Sequence, residues 1–162
     1  GTFGAVCKAA LDYPSDNYLI LNGDTIFKAD LKSIYEVFLA KNELPLLILK
    51  KTDHNNRYGG YKVENGKFIL SNNLAEYISL GAYFISNSEL INRWQISTSS
   101  ELNFKDFSKF EKFPLLNDND CLGLEPINGH CLESNTPFID IGIKESFIRA
   151  QKEIPFIIGS YN

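Results

Sequence analysis

The sequence predicts an α/β fold, a sheet with helices packed against it, on three observations. Two apolar runs, residues 18–21 and 44–49, have the length and continuity of strands covered on both faces. Between them Leu31, Ile34, Tyr35, Val37, Phe38 and Leu39 recur at helical spacing. Strand, helix, strand in that order predicts a right-handed parallel crossover, the unit from which α/β sheets are built.

The remaining elements follow in order. Residues 1–4 read as a small-residue turn, and the apolar spacing over 5–11 fits a short helix ended by Asp12, Tyr13 and Pro14. The run 18–21 stops at Asn22-Gly23-Asp24-Thr25, and Asp30 is placed to cap the helix that opens at Leu31. Segments 61–63 and 67–70 flank Asn65-Gly66, a dipeptide that favours the positive backbone angles of a tight hairpin, so they should pair antiparallel. Residues 77–85 read as a longer strand interrupted by Gly81, where the missing side chain lets another backbone or a ligand approach. Segments 88–94 and 104–113 read as helices, with Pro114 closing the second, and 117–120 as a polar loop. Short strands at 127–132 and 138–141 precede an amphipathic helix over 144–153, expected to stop at Pro155. No repeat, low-complexity tract or linker divides the chain, so a single domain over 1–162 is expected.

Composition bounds the function. With 44% hydrophobic, 22% charged and 13% aromatic residues, the chain belongs with folded globular proteins rather than disordered or fibrous ones. Its net charge is −4 and its Lys and Arg are scattered, which argues against nucleic acid or an anionic membrane surface as partner. No apolar stretch approaches the ~20 residues that span a bilayer, and no signal sequence opens the chain, so a cytoplasmic location is expected. Cys7, Cys121 and Cys131 form neither a disulfide framework nor a C-x-x-C metal pair and read as buried free thiols. The chain has no methionine and opens at Gly1 inside what reads as a working loop, so sequence upstream of Gly1 is expected in the native protein.

Two strands end on carboxylates. Open α/β sheets bind ligands beyond the carboxyl ends of their strands, and Asp24 sits at that place. An aspartate there can hold Mg²⁺ while the ion keeps waters and takes further ligands from phosphates, or it can simply cap a turn. Residues 138–142, Phe-Ile-Asp-Ile-Gly, repeat the arrangement with Asp140, and Asp140 lies too early to cap the helix at Lys144. Two carboxylates from distant strand ends would suit one oxygen-loving ion. Gly1-Thr2-Phe3-Gly4-Ala5 leads into a helix, where exposed N–H groups at the positive end of the dipole suit a phosphate or let a base lie against the main chain; a plain loop is the alternative. His54 and His130 lack further zinc ligands at suitable spacing and read as ordinary histidines.

Together, G-T-x-G-A at the head of a helix, L-N-G-D-T one strand later, R-Y-G after the next strand and F-I-D-I-G before a late helix resemble the sugar-1-phosphate nucleotidyltransferases. The branch with mannose-1-phosphate and D-glycero-D-manno-heptose-1-phosphate guanylyltransferases is the nearest in pattern. The resemblance implies a Rossmann-like, GT-A-like mixed sheet with flanking helices, and the reaction of a nucleoside triphosphate with a sugar 1-phosphate to give a nucleotide sugar and pyrophosphate. It implies Mg²⁺ on Asp24 and Asp140, with Gly1, Thr2 and Gly4 beside the base and ribose. Asn22 and Gly23 would shape the end of the metal strand, and Gly81 would lie against the sugar. Arg57, Tyr58 and Gly59 match a largely structural motif, and Glu111 matches a family glutamate read here as structural.

The departures are equally specific. The family's first strand, its G-G-x-G-T-R-L loop and the following Lys-Pro segment have no counterpart here, so the chain reads as the C-terminal two-thirds of the catalytic domain, without the triphosphate cradle and inactive alone. That would expose a raw sheet edge, compatible with a homo-oligomer. Asn72 and Asn73 fall where a Glu-Lys pair is common, and Ser79-Leu80-Gly81 replaces Asn-Gly-Gly, with Leu80 expected to crowd the pocket. A non-catalytic nucleotide-sugar-binding or regulatory homologue is therefore the second reading. A glycosyltransferase of related fold is a third, disfavoured because Gly-Asp-Thr lacks the second Asp of a D-x-D pair.

Overall fold

A computed structural model describes residues 2–41, 45–52, 60–71, 76–98 and 129–159. The expected helix at 104–113, the polar loop at 117–120, and Gly1, His54, Arg57, Tyr58, Gly59, Asn72, Asn73, Glu111 and Cys121 lie outside them.

Within the described residues, helix α1 (Thr2–Asp12) leads to strand β1 (Asn17–Leu21), the short β2 (Thr25–Phe27), helix α2 (Leu31–Ala40) and β3 (Leu46–Lys51). A hairpin of β4 (Gly60–Glu64) and β5 (Lys67–Ser71) follows, then β6 (Tyr77–Ser86), α3 (Asn87–Thr98), β7 (His130–Glu133), β8 (Phe138–Asp140) and α4 (Lys144–Ile158). Six strands form one sheet in the order β1-β6-β3-β7-β5-β4, with β4 also pairing to β6, while β2 and β8 form a separate two-stranded sheet. Because β1 and β3 are each antiparallel to β6, they run parallel to one another, and α2 carries the chain across β6 between them. That is the crossover the sequence predicts. β3 also pairs in parallel with β7, so the sheet is mixed.

Alternation along the central strands divides the interior into two layers. On β3, Leu47 and Leu49 face one cluster with Cys7 and Ala10 of α1, Leu90 of α3, and Tyr61, Phe68, Tyr83 and Ile85. Leu46 and Ile48 face the other with Ile34 and Phe38 of α2, and Leu80, Ala82 and Phe84 of β6. Helices on both faces are why the run at 46–49 is apolar throughout rather than alternating. A third, smaller cluster joins Ile139 of β8 to Ala150 and Ile157 of α4, with Ile26, Ile141 and Ile154 against it. Burial pushes the Cys7 thiol up to about 12, so at neutral pH it is a thiol without appreciable thiolate.

Local signals in the sequence account for several boundaries. Asn65 and Gly66 both take positive φ, 52° and 73°, and turn β4 into β5. Ser86 accepts a hydrogen bond at its Oγ from the Glu89 N–H, 3.3 Å, so α3 opens behind a capped first turn. Asp30 caps α2 as expected, accepting from the Ser33 N–H at 3.2 Å and from the Ser33 hydroxyl at 2.7 Å. The Ser33 hydroxyl, with the backbone N–H beside it, holds the Asp30 carboxyl below its ordinary 3.8. A carboxylate whose folded pKa is depressed contributes stability that is whole above the ordinary aspartate value and lost as pH falls through the folded one. The stability difference between wild type and Asp30→Ala should therefore shrink as the pH is taken from about 5 to about 3 in urea titrations. A difference independent of pH would show that the carboxylate's charge plays no part.

Three boundaries depart from expectation. β1 is an edge strand among the described residues, and it packs one face, Tyr18 and Ile20, on the core while Leu19 and Leu21 on the other are 37% and 52% exposed. An apolar run of this length has the same pattern at an edge as in a centre, since the neighbour that decides comes from elsewhere in the chain. α1 opens at Thr2, so Thr2 and Gly4 belong to its first turns and not to a preceding loop. α4 passes through Pro155 to Ile158, because Ile154 and Ile157 continue the stripe that Ala150 begins against β8, and that burial outweighs one lost backbone hydrogen bond.

Candidate active site

The chain leaves the large sheet and enters the small one at Asn22-Gly23-Asp24. β1 ends opposite Ala82, and the next residue, Asn22, donates its N–H to the Gly81 carbonyl at 2.7 Å. Gly23 and Asp24 form a turn, and β2 begins at Thr25. The turn is tied down at its far end as well, since the Ile141 N–H donates to the Asp24 carbonyl at 2.8 Å.

That second tie brings the main chains of the two aspartates together. In the β2–β8 ladder Thr25 stands opposite Asp140, so Asp24 lies one residue from the partner of Asp140, at the open end of the same short sheet. Asp24 is exposed and Asp140 half-buried. The Thr25 hydroxyl lies 3.5 Å from Asp24 Oδ1, and Asp140 Oδ1 accepts from the Gly142 N–H at 2.7 Å. This last bond closes a turn of Asp-x-Gly type over residues 140–142. Asp140 is not a helix cap: the cap position of α4 is Ile143, with no side-chain bond.

The two aspartates fit a hard divalent cation. Both donors are carboxylate oxygens at a solvent-accessible strand end, and among the described residues no group of three or more His, Cys, Asp and Glu encloses them. Mg²⁺ is commonly held in this manner by one or two carboxylates, with its other positions left to waters and phosphate oxygens.

The other residues singled out by sequence fall around this corner or away from it. Asn22 and Gly23 form it, and a Cβ on Gly23 would meet nothing within 4 Å. Gly81 lies directly against Asn22, at a positive φ of 70°. Leu80 is buried in the α2 layer with Phe38 and Ala82, so it does not crowd the corner as the sequence led us to expect. Thr2 and Gly4 start α1, whose Cys7 and Ala10 pack on the opposite face of the sheet from Leu80. His130 lies in β7 opposite Leu46, outside any metal-ligating group among the described residues. Thr25, Ile141 and Gly142 lie within the L-N-G-D-T and F-I-D-I-G motifs, but only the Asp-x-Gly turn carries a local signal of its bond.

No family model matches the chain. It is 28% identical, over 163 residues covering 98% of this chain, to the D-glycero-alpha-D-manno-heptose 1-phosphate guanylyltransferase of Aneurinibacillus thermoaerophilus. Among solved structures, a Bacillus anthracis protein assigned as a glucose-1-phosphate thymidylyltransferase, in complex with a sucrose, matches 99% of the chain with a TM-score of 0.70 at 20% identity. HddC from Yersinia pseudotuberculosis, complexed with GMP-PN, matches 95% with a TM-score of 0.64 at 21% identity. The chain has the fold of the sugar-1-phosphate nucleotidyltransferases. In this nucleotidyltransferase fold the mixed sheet and its flanking helices stand as the motif order implies, and Asp24 and Asp140 mark the seam between its two sheets. The chain spans 64% of the length of the curated relative, and 63% and 62% of the two solved nucleotidyltransferase-like chains.

Proposed function

We propose that the protein transfers a nucleotidyl group from a nucleoside triphosphate, GTP in the first instance, to a sugar 1-phosphate, making a nucleotide sugar for cell-surface polysaccharide in the cytoplasm. The observation that supports this reading is the ladder step that sets Thr25 opposite Asp140 and so brings the residues Asp24 and Asp140 to one strand end. Similarity to a heptose 1-phosphate guanylyltransferase favours GTP and a hexose- or heptose-type acceptor.

A phosphate oxygen of the sugar 1-phosphate attacks the α-phosphorus, the bond from that phosphorus to the bridging oxygen breaks, and pyrophosphate leaves with the electron pair. The phosphate dianion is already a competent nucleophile, so the protein need supply no nucleophile or general base. Its tasks are alignment and charge neutralisation. Asp24 and Asp140 would hold Mg²⁺, which when bound supplies positive charge beside the reacting phosphate. Asn22 and Gly23 shape the approach to Asp24, Gly81 would flank the sugar, and Gly1, Thr2 and Gly4 would lie along the base and ribose. Among the described residues no helix is long and apolar enough to cross a membrane.

The test is pyrophosphate release by the full-length protein given GTP, Mg²⁺ and a panel of sugar 1-phosphates. Release that depends on both substrates, with a GDP-sugar as co-product, is expected. Calorimetric binding of GDP-sugar without any release would instead establish the non-catalytic binder, the reading motivated by Asn72 and Asn73.

A further inference from the structure

We propose that Gly81 is a positioning residue for Asp24, acting through Asn22. The proposal rests on the reading of Asp24 as a metal ligand and adds to it the device that fixes its place.

Strand β6 is irregular at Gly81. β6 pairs Tyr83 with Leu47 and Ser79 with Leu49, so the register shifts across residues 80–82, and Gly81 takes its positive φ at the middle of that bulge. Both its backbone groups are committed: the N–H donates to the Ser79 hydroxyl at 3.0 Å, and the carbonyl accepts from Asn22 at 2.7 Å. The space where a Cβ would stand is occupied by the Asn22 side chain. A Cβ on residue 81 would come within 2.8 Å of Asn22 Cβ and Nδ2 and 2.9 Å of Cγ.

The near atom decides the consequence. Nδ2 could swing away, but Cβ is fixed to the backbone, so relieving the clash requires the main chain at Asn22 to move. Two residues later that main chain carries Asp24, whose carbonyl is tied on its far side to the Ile141 N–H at 2.8 Å, next to the β2–β8 ladder that holds Asp140. Only Gly23 stands between Asn22 and Asp24 in the chain. The entry of the chain to Asp24 is therefore set from β6, through the gap that glycine leaves, as its exit is set by the Ile141 N–H.

The test uses the whole chain, its ¹⁵N amide spectrum, and Mn²⁺ as the probe of the carboxylate pair. Gly81→Ala is expected to move the Asp24 and Thr25 amides and to weaken Mn²⁺ binding by about tenfold or more, as loss of a supporting contact around a metal does. Adding Asn22→Gly, which removes the clashing Cβ, should restore both readouts. Adding Asn22→Ala, which keeps that Cβ, should not. Backbone strain from the positive φ is the same in the two double variants and cancels between them. Ser79→Ala, free of that strain, loosens the Gly81 N–H and should give a smaller change in the same direction. Equal behaviour of the two double variants, or unmoved Asp24 and Thr25 amides in both Gly81→Ala and Ser79→Ala, would overturn the proposal. Absence of Mn²⁺ binding to wild type would instead remove the metal reading, and the amide shifts would still decide whether Gly81 positions Asp24.

Discussion

Phe38→Ala is expected to lower the free energy of unfolding by about 3–5 kcal/mol, the range for emptying a buried aromatic site. Phe38 is fully buried where α2 meets the large sheet. Its ring centroid lies 5.7 Å from Phe84 of β6 and 6.1 Å from Tyr35, so truncation removes aromatic contacts as well as apolar area. Tyr35 is already 37% exposed and on the helix surface, so it cannot collapse into the space without uncovering Phe84. Against a total stability of about 5–15 kcal/mol this is a large fraction, and the melting temperature should fall by about 10 °C. Urea titration at constant m-value checks it. A loss under about 1 kcal/mol would mean that α2 does not seal this face of the sheet.

In the full-length protein, Asp24→Asn and Asp140→Asn are expected to reduce the proposed nucleotidyl transfer by about two orders of magnitude or more each, with the fold retained. Asparagine keeps the volume and an oxygen acceptor. The Gly142 N–H can still be accepted at residue 140, and the ties through the Asp24 carbonyl and the Asn22 N–H involve only backbone. What each substitution removes is the negative charge that a divalent cation needs. If the pair holds one ion, the double variant should be scarcely worse than either single one, because ligands acting as a unit are not additive. Steady-state pyrophosphate release as a function of Mg²⁺ is the measurement. Full activity in either single variant would take that residue out of the site.

Much of the architecture was legible because it is written locally. The apolar run at 46–49, the helical spacing from Ile34 to Phe38, the Asn65-Gly66 turn and the Asp30 cap each depend on neighbours within a few residues. Cover on a strand's two faces is not local: Leu19 and Leu21 read as core, yet they are 37% and 52% exposed while Tyr18 and Ile20 pack inward. Pro155 misleads for the same reason, since what holds the last turn of α4 is Ile139 on another element. In the candidate site, the sequence singled out both aspartates, and only the β2–β8 register puts their backbones one ladder step apart. β2 is three residues long, too short for any periodicity to announce it. Gly81 was legible as a point of close approach, although what approaches it in the structure is Asn22.

The burial of Cys7 makes that residue a counter of opening events. It has no exposed surface beneath α1, and its thiol is held protonated, so an alkylating reagent can reach it only after the helix lifts from the sheet. The rate at which Cys7 is alkylated in native buffer, followed at that residue because Cys131 is only half-buried, thus reports how readily α1 opens, with no residue changed.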